Sequence, residues 1–264
     1  MKAAVMRGFG GPEVLRIEEV PTPEPGAEEV LLRVGACGVS YHDVVERNGT
    51  YRADMKLPVV LGYEIAGTVE RVGARVTSVK PGDRVCCKVF HSCGRCRFCR
   101  NGMETACPER RAVHGGYAEY VVVPDEVLVE LPDALDFATG CMLGPTVGVA
   151  LNAVRDTAHV QLGDTVLISG ASGGLGLPSI ELAKAAGATV IALTRSTAKV
   201  QALRKAGADH VVVGGDGRDF SSEVMVLTDG AGVDVVIDNV GSMVFTACFK
   251  SWRWAGATCL SASC

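Results

Sequence analysis

One stretch of the chain, residues 165–187, constrains the fold more than any other. It reads TVLISGASGGLGLPSIELAKAAG: a short apolar run, a glycine-rich turn, and a longer segment that a further glycine ends. An apolar run bounded by glycines is typical of a buried strand, and glycine closes many helices. The stretch therefore predicts strand, tight turn and helix in direct succession, which is the first half of a βαβ unit.

The same alternation continues through the second half of the chain. The sequence predicts strands at 165–169, 189–194, 210–213, 233–238 and 257–261. Helices are expected between them, at 175–186, 197–206, 221–228 and 244–252. Regular alternation of this kind predicts a parallel sheet covered by helices on both faces, a doubly wound fold.

The glycine turn after the first strand is a candidate dinucleotide site. Backbone N–H groups at the start of a helix can face a pyrophosphate only where no side chain intervenes. Gly173 would allow that approach, and Gly176 would let the helix pack closely on the strand. An ordinary tight turn is the alternative. The candidate cofactor-binding residues here are Gly170, Ser172, Gly173, Gly174, Leu175 and Gly176.

The end of the second strand bears on the choice of cofactor. A carboxylate at that position would bind the ribose 2′-hydroxyl of NAD, but the strand ends in Thr194 followed by Arg195. An arginine can pair with a 2′-phosphate through charge-assisted hydrogen bonds. These two residues therefore favour NADP(H) over NAD(H), the alternative being that Arg195 is a solvated surface residue.

The first half of the chain has a different pattern. Short strands are predicted at 30–34, 65–72, 84–90 and 118–123, separated by proline and glycine clusters and without intervening helices. Such a series predicts a compact β-barrel-like unit. Helical segments begin near Asp133 and at 147–154. We therefore expect an α/β plus β fold, with a barrel domain at 1–150 and a nucleotide-binding domain at 151–264.

Four of the 11 cysteines are close together in the sequence. Cys93, Cys96, Cys99 and Cys107 have the spacing C-x2-C-x2-C-x7-C, which can surround a Zn²⁺ ion tetrahedrally and leave no position for water. Buried thiols or a redox pair are the alternatives. We expect a closed, structural zinc site in a reducing compartment, the cytoplasm.

Composition excludes several classes of partner. The net charge is −4 with no basic stripe, so we expect no nucleic-acid partner. No apolar stretch is long enough to span a bilayer, and the first residues do not have the pattern of a signal peptide. We therefore expect no membrane partner and a small-molecule substrate.

Taken together, these motifs resemble the zinc-type medium-chain dehydrogenase/reductase superfamily, which joins a GroES-like catalytic domain to a Rossmann cofactor domain. The resemblance covers essentially the whole chain. It implies a nicotinamide-dependent oxidoreductase and implies that Asn239 and Val240 contact the cofactor. It is carried by LGYEIAGTVERVG, PGDRV, the four cysteines, GGYAEYVVVP, GASGGLG and VDVVIDNVG.

The chain departs from this family at the positions of the catalytic zinc ligands. Where zinc-using members have cysteine, histidine and cysteine, the alignment gives Ser40, Tyr63 and Thr146. Neutral hydroxyls are poor Zn²⁺ ligands beside thiolate and imidazole. We therefore expect NADP(H)-dependent reduction of an activated C=C bond, in an enoyl thioester or enone, or of a quinone. Such a reaction needs a proton donor, and the candidates are Tyr41, His42 and Tyr63.

Three alternatives stay open at this point. Those donors could be space-filling polar residues. The chain could be a zinc alcohol dehydrogenase with atypical ligands, such as Cys37 or Cys141 with His42. It could also be a truncated, non-catalytic protein that binds nucleotide and zinc, because the resemblance implies further segments after the fifth strand. An uncovered sheet edge predicts a homo-oligomer, a dimer or tetramer.

Overall fold

The computed structural model describes residues 1–51, 54–214 and 217–259. The chain divides into two compact units, one from Met1 to Pro145 and one from Thr146 onward. The division lies a few residues before the predicted boundary at 150. Each unit has its own sheets and its own buried core.

The first unit is built from short antiparallel strands. Its main sheet has the order β10-β6-β5-β3-β9, with β2-β1-β4 and β7-β8 as smaller sheets. Val30 and Leu32 of β3 pack with Ile65 and Val69 of β5 in one buried cluster, as the two-residue period of a strand requires. The strands are β1 Lys2–Met6, β2 Leu15–Glu19, β3 Glu29–Gly38, β4 Val59–Val60, β5 Glu64–Val72, β6 Arg84–Cys87, β7 Phe90–His91, β8 Arg111–Ala112, β9 Tyr120–Pro124 and β10 Leu128–Glu130.

A helix interrupts this series, so the expectation of strands without intervening helices is wrong. Helix α1 (Tyr41–Arg47) follows β3 directly. Its first turn is fixed by Asp43, whose Oδ2 accepts from both the backbone N–H and the hydroxyl of Ser40, at 2.9 and 2.7 Å. A serine followed three residues later by an acidic residue is a helix-start signal, and it outweighs the β-branched residues within the helix.

The second unit contains one parallel sheet of five strands, in the order β13-β12-β11-β14-β15. Consecutive residues of the central strand face opposite sides. Ile168 belongs to one buried cluster and Leu167 to another. Both faces are therefore apolar and covered, as a doubly wound sheet requires. The strands are β11 Thr165–Ile168, β12 Thr189–Thr194, β13 His210–Val213, β14 Val233–Ile237 and β15 Trp252–Cys259.

The remaining helices are α2 Phe137–Gly140, α3 Gly148–Leu151, α4 Gly176–Ala185, α5 Val200–Lys205, α6 Ser221–Leu227 and α7 Phe245–Lys250. Helical turns of the wider π type flank α3, at Leu143–Val147 and Asn152–Thr157. The predicted α/β plus β fold class is confirmed. The last strand begins earlier than predicted, at Trp252 instead of residue 257, and predicted residues 260 and 261 lie outside the described residues.

The strand order fixes where a ligand can bind in this sheet. Chain connections run from β11 to one side through β12 and β13, and then to the other side through β14 and β15. Open α/β sheets bind their ligands beyond the carboxyl ends of the strands where this reversal occurs. In the second unit that point lies between β11 and β14.

The turn that leads from β11 into α4 has no space for a side chain at Gly176. A Cβ at Gly176 would lie 2.5 Å from the backbone of Ala171, whereas a Cβ at Gly174 would meet no atom within 4 Å. We expect Gly176→Ala to lower the free energy of unfolding by about 1–3 kcal/mol, because backbone must move to relieve the overlap. Gly174→Ala is the matched control and should change stability little. Denaturant unfolding of the two variants measures the difference; equal stabilities would contradict this packing.

Candidate functional site

The four-cysteine cluster has the geometry of a metal site. The sulfur atoms of Cys93, Cys96, Cys99 and Cys107 all lie within 4.8 Å of one another. Cys96 and Cys99 are 3.5 Å apart, and Cys93 and Cys99 are 4.0 Å apart. Tetrahedral coordination with Zn–S bonds of about 2.3 Å requires sulfur–sulfur distances of about 3.8 Å. The four cysteines therefore fit a Zn²⁺ ion with only small adjustments.

Local hydrogen bonding prepares part of this set for a cation. Backbone N–H groups of Arg95 and Cys96 lower the pKa of Cys93 to about 7, whereas burial raises the pKa of Cys99 to about 12. Zinc binds thiolates, so loading the site would release the remaining protons. A Zn²⁺ ion held by all four sulfur atoms would have no coordination position left for a substrate. Across residues 1–51, 54–214 and 217–259, this is the one group of His, Cys, Asp or Glu side chains that could hold a metal ion.

The glycine turn lies at the reversal point of the parallel sheet. Gly173 and Gly174 are exposed and follow β11, and the N–H of Gly173 donates to the carbonyl of Gly170 at 2.9 Å. No side chain covers the backbone at these two positions. The turn ends at Gly176, where α4 begins. Ser172 and Leu175 are half-buried within the same turn. This arrangement fits a pyrophosphate bound at the start of α4.

A buried hydrogen-bond network ties the ends of β11 and β14 together at that point. The Ser169 hydroxyl donates to Asp238, and the backbone N–H of Asn239 donates to the Ser169 oxygen at 2.9 Å. The Asn239 amide also donates to the Ser169 carbonyl at 3.0 Å, and Asp238 accepts from the N–H of Val240 at 2.9 Å. Asn239 and half-exposed Val240 are thereby held beside the glycine turn. Asp238 and Ser169 were not among the predicted site residues. Asp238 lies within the VDVVIDNVG motif, but its hydrogen bond with Ser169 joins segments that are distant in the sequence.

The second strand of the sheet ends with the two residues that bear on cofactor choice. Thr194 is buried, and its hydroxyl oxygen accepts from the Ser196 N–H at 3.3 Å. Arg195 is exposed directly after β12. The threonine side chain is therefore held by the backbone at the strand end, and the arginine is the charged group that this edge of the sheet presents.

In the first unit, three polar side chains meet around α1. Glu46 is fully buried on α1, one turn after His42, and its Oε1 lies 3.3 Å from His42 Nε2. The Tyr63 hydroxyl donates to Glu46 Oε2. The rings of His42 and Tyr63 pack edge to face, with centroids 4.7 Å apart. Two of the three predicted proton donors are thus brought together by a carboxylate that sequence reasoning missed. Its position four residues after His42 would have been informative had α1 been predicted.

A second carboxylate of α1 fixes the loop that carries Tyr63. Asp43 is buried and accepts from Ser40 through one oxygen and from the Gly62 N–H, at 3.1 Å, through the other. Gly62 has φ +101°, and a Cβ there would lie 2.8 Å from Cys37 Sγ and 2.7 Å from the Tyr117 ring. The backbone at this position therefore accommodates only glycine without rearrangement.

The nearby cysteines have the properties of neutral core thiols. Burial, followed by the negative charge of Asp43, raises the pKa of Cys37 well above its usual range. Burial and then the carboxylate of Glu64 raise the pKa of Cys141 in the same direction. The Cys141 thiol donates to the Ala138 carbonyl at 3.2 Å. Cys37 and Cys141 are therefore both held in the protonated form in this environment.

Two further predicted positions differ in their exposure. The third proton-donor candidate, Tyr41, is 74% exposed at the start of α1. Thr146 is half-buried in the π turn Leu143–Val147 and belongs to the second unit. None of the described helices combines the length and the apolar character that crossing a membrane would require.

Comparison with known families agrees with the division into two units. Residues 26–133 match the family model described as "Alcohol dehydrogenase GroES-like domain". Residues 174–263 match the family model described as "Zinc-binding dehydrogenase". The first match lies within the antiparallel unit and the second begins in the glycine turn of the parallel unit.

Individual relatives align over nearly the whole chain. An acryloyl-coenzyme A reductase from Sulfurisphaera tokodaii is 36% identical over 261 residues, 97% of this chain and 75% of its own. An alcohol dehydrogenase from Geobacillus stearothermophilus is 34% identical over 265 residues, 98% of this chain and 77% of its own. The crystal structure of AibC superimposes with a TM-score of 0.92 at 45% identity, covering 98% of this chain and 73% of that one.

The first two relatives are named as a reductase and a dehydrogenase, and the similarity of all three extends across both units of the chain. The antiparallel unit thus corresponds to the GroES-like family model, and the parallel sheet corresponds to the dehydrogenase family model. The chain therefore belongs to the medium-chain dehydrogenase/reductase superfamily and is an NAD(P)-dependent oxidoreductase that acts on small molecules.

Proposed function

We propose that this enzyme uses NADPH to reduce an activated C=C bond, in an enoyl thioester or enone, or a quinone, and that its only zinc is structural. One observation carries the proposal. The hydroxyls of Ser40 and Tyr63, at two positions where zinc-using relatives have ligands, are engaged with the carboxylates of Asp43 and Glu46. They serve an internal hydrogen-bond network instead of a metal.

The chemistry of this site suits reduction better than alcohol oxidation. Alcohol oxidation in zinc-using members needs a Lewis acid to lower the pKa of the alcohol before hydride can leave its carbon. Reduction of an acceptor conjugated with a carbonyl needs hydride from the bound cofactor and a proton from the protein. The cluster around α1 offers hydroxyl and imidazole groups for the second requirement. A relative named acryloyl-coenzyme A reductase supports an enoyl thioester as the acceptor.

The four cysteines support the structural half of the proposal. Their sulfur atoms form a closed set that fits Zn²⁺, whereas Cys37 and Cys141 are held as neutral thiols by burial and nearby carboxylates. Among the described residues, neither Cys37 nor Cys141 belongs to a group of three or more His, Cys, Asp or Glu side chains placed to share a metal ion, which argues against the alternative in which Cys37 or Cys141 joins His42 around a catalytic zinc.

The nine cysteines whose side chains are described are free thiols, and we expect the enzyme to work in the reducing cytoplasm, where such thiols persist. We also expect a homo-oligomer, a dimer or tetramer. Among the described strands, β15 is at one edge of the parallel sheet, and pairing with another chain is one way in which such an edge is covered. Light scattering coupled to gel filtration measures the number of copies.

The proposed reaction is tested by following NADPH oxidation with purified enzyme. We expect turnover with an enoyl thioester, an enone or a quinone, and no reduction of NADP⁺ by a panel of primary and secondary alcohols. A simple alkene without a conjugated carbonyl is the matched control and should not react. Oxidation of alcohols at rates comparable to enoyl reduction would contradict the proposal. Cofactor binding without turnover of any acceptor would instead indicate a non-catalytic nucleotide-binding protein.

Metal content separates a structural zinc from a catalytic one. We expect about one Zn²⁺ per chain, lost in Cys96→Ser because the closed set loses one of its four sulfur ligands. Cys37→Ser is the matched control and should keep its zinc. Atomic absorption on the three proteins gives the counts. Two zinc ions per chain, or loss of one zinc in Cys37→Ser, would show that a metal occupies the second site.

Cofactor preference is tested at the end of β12. We expect Arg195→Ala to weaken NADPH binding about tenfold to a hundredfold and NADH binding little, because a charge-assisted hydrogen bond contributes about 1.5–3 kcal/mol. Arg204→Ala removes another exposed arginine, on α5, and is the matched control. Fluorescence titration with both cofactors measures the affinities. Equal weakening of NADPH and NADH would remove the 2′-phosphate role from Arg195.

A further inference from the structure

We propose that His42 is the acid that protonates the reduced acceptor, and that Glu46 and Tyr63 are positioning residues. We call these three residues the relay, because His42 passes a proton from water to the acceptor. This inference rests on the proposed function and narrows it. The sequence left the proton donor open among Tyr41, His42 and Tyr63, and it gave no role to Glu46. The contacts around α1 assign a different part to each of them.

Glu46 is the centre of the arrangement. Its side chain is fully buried, and a buried carboxylate is stable only with hydrogen-bond donors or a cation around it. One oxygen accepts from the Tyr63 hydroxyl, and the other lies 3.3 Å from His42 Nε2. Glu46 is therefore bridged between a phenol and an imidazole, and it stabilises the imidazole when that ring carries a positive charge.

Tyr63 does not have a proton to offer to a substrate in this geometry. Its ring is 3% exposed, and its single hydroxyl proton is directed at Glu46. The loop that carries it is held by the Gly62 N–H on Asp43. Tyr63 therefore fixes one oxygen of Glu46, and the other oxygen lies 3.3 Å from His42 Nε2.

His42 has both access and orientation. Its side chain is 27% exposed, so it can exchange protons with water. Nε2 is the ring nitrogen that lies near Glu46, at 3.3 Å, and we assign the transferred proton to the other ring nitrogen, Nδ1. The His42 ring packs edge to face on Tyr63. It makes a second edge-to-face contact with Tyr51, in which the ring centroids are 5.1 Å apart. Two aromatic rings and one carboxylate therefore hold the imidazole in one orientation.

The relay supplies the proton that completes the reduction. One carbon of the acceptor's C=C bond gains a hydride, which is a proton with two electrons, and the other carbon of the resulting enolate gains H⁺. That H⁺ leaves Nδ1 of the imidazolium of His42. The ring becomes neutral, keeps its Nε2–H toward Glu46, and takes a new proton at Nδ1 from water. The net change is one C=C bond reduced, one NADPH oxidised and one H⁺ consumed.

The test compares three single variants in the NADPH oxidation assay. We expect His42→Ala to lower kcat by about 10²- to 10⁴-fold, the contribution typical of a general acid, with the Kd of NADPH unchanged. Added imidazole should restore part of that turnover, because it can occupy the space of the missing ring and carry the proton. Glu46→Gln and Tyr63→Phe should lower kcat less, by about tenfold, and should retain a solvent deuterium isotope effect.

The controls keep the relay separable from simple damage to the fold. Tyr120→Phe removes the hydroxyl of a half-buried tyrosine on β9, in the same unit, and should leave kcat unchanged. If Glu46→Gln does not fold, His42→Ala and Tyr63→Phe still decide the assignment. Imidazole rescue is a readout that a purely structural role for His42 would not give.

The contrary outcomes are equally distinct. The relay is overturned if Tyr63→Phe costs as much kcat as His42→Ala, if imidazole restores nothing, or if His42→Ala keeps kcat within about threefold of the wild type. Wild-type protein that turns over no acceptor contradicts the proposed function itself. If the wild type turns over the acceptor and His42→Ala has nearly the same kcat, only the relay is contradicted.

Discussion

Buried carboxylates on one short helix organise the antiparallel unit. Helix α1 places Asp43 and Glu46 inside the protein, where each oxygen needs a donor. Asp43 holds the first turn of its own helix and the Gly62 N–H, and Glu46 holds Tyr63 and approaches His42. The helix start, the loop before β5 and the candidate acid are thus fixed by two side chains. Substituting either carboxylate would leave several donors without acceptors at once.

The parallel unit was largely predictable because its determinants are local. A strand, a glycine turn and a helix each leave a mark within a few residues, and the bounds of β12 and β13 agree with those expected from sequence. Helix α1 was missed because the β-branched residues Val44 and Val45 favour a strand. The signal that defines the helix is the carboxylate of Asp43, which accepts hydrogen bonds from the backbone N–H and the hydroxyl of Ser40. Pairing between distant segments, such as Glu46 with Tyr63, leaves no local mark at all.

The two candidate sites also differ in how far sequence can describe them. Four cysteines within a short lobe reveal their ligand set by spacing alone, and the structure brings the four sulfur atoms together. Ser169 and Asp238, whose hydrogen bond joins the ends of β11 and β14, follow strands that are neighbours only in the folded sheet. Asp238 lies within a recognisable motif, but its part in this network is visible only from its contacts.

The hydrogen bond between Tyr63 and Glu46 also couples the two positions when either residue is substituted. Loss of the phenol hydroxyl would take a donor away from a fully buried carboxylate, at a cost of about 1–3 kcal/mol. The same substitution would cost less in a protein whose residue 46 carried no charge, because no buried carboxylate would then lose a donor. The effect of a change at position 63 is therefore expected to depend on the residue at position 46, and a double-mutant cycle would measure that dependence.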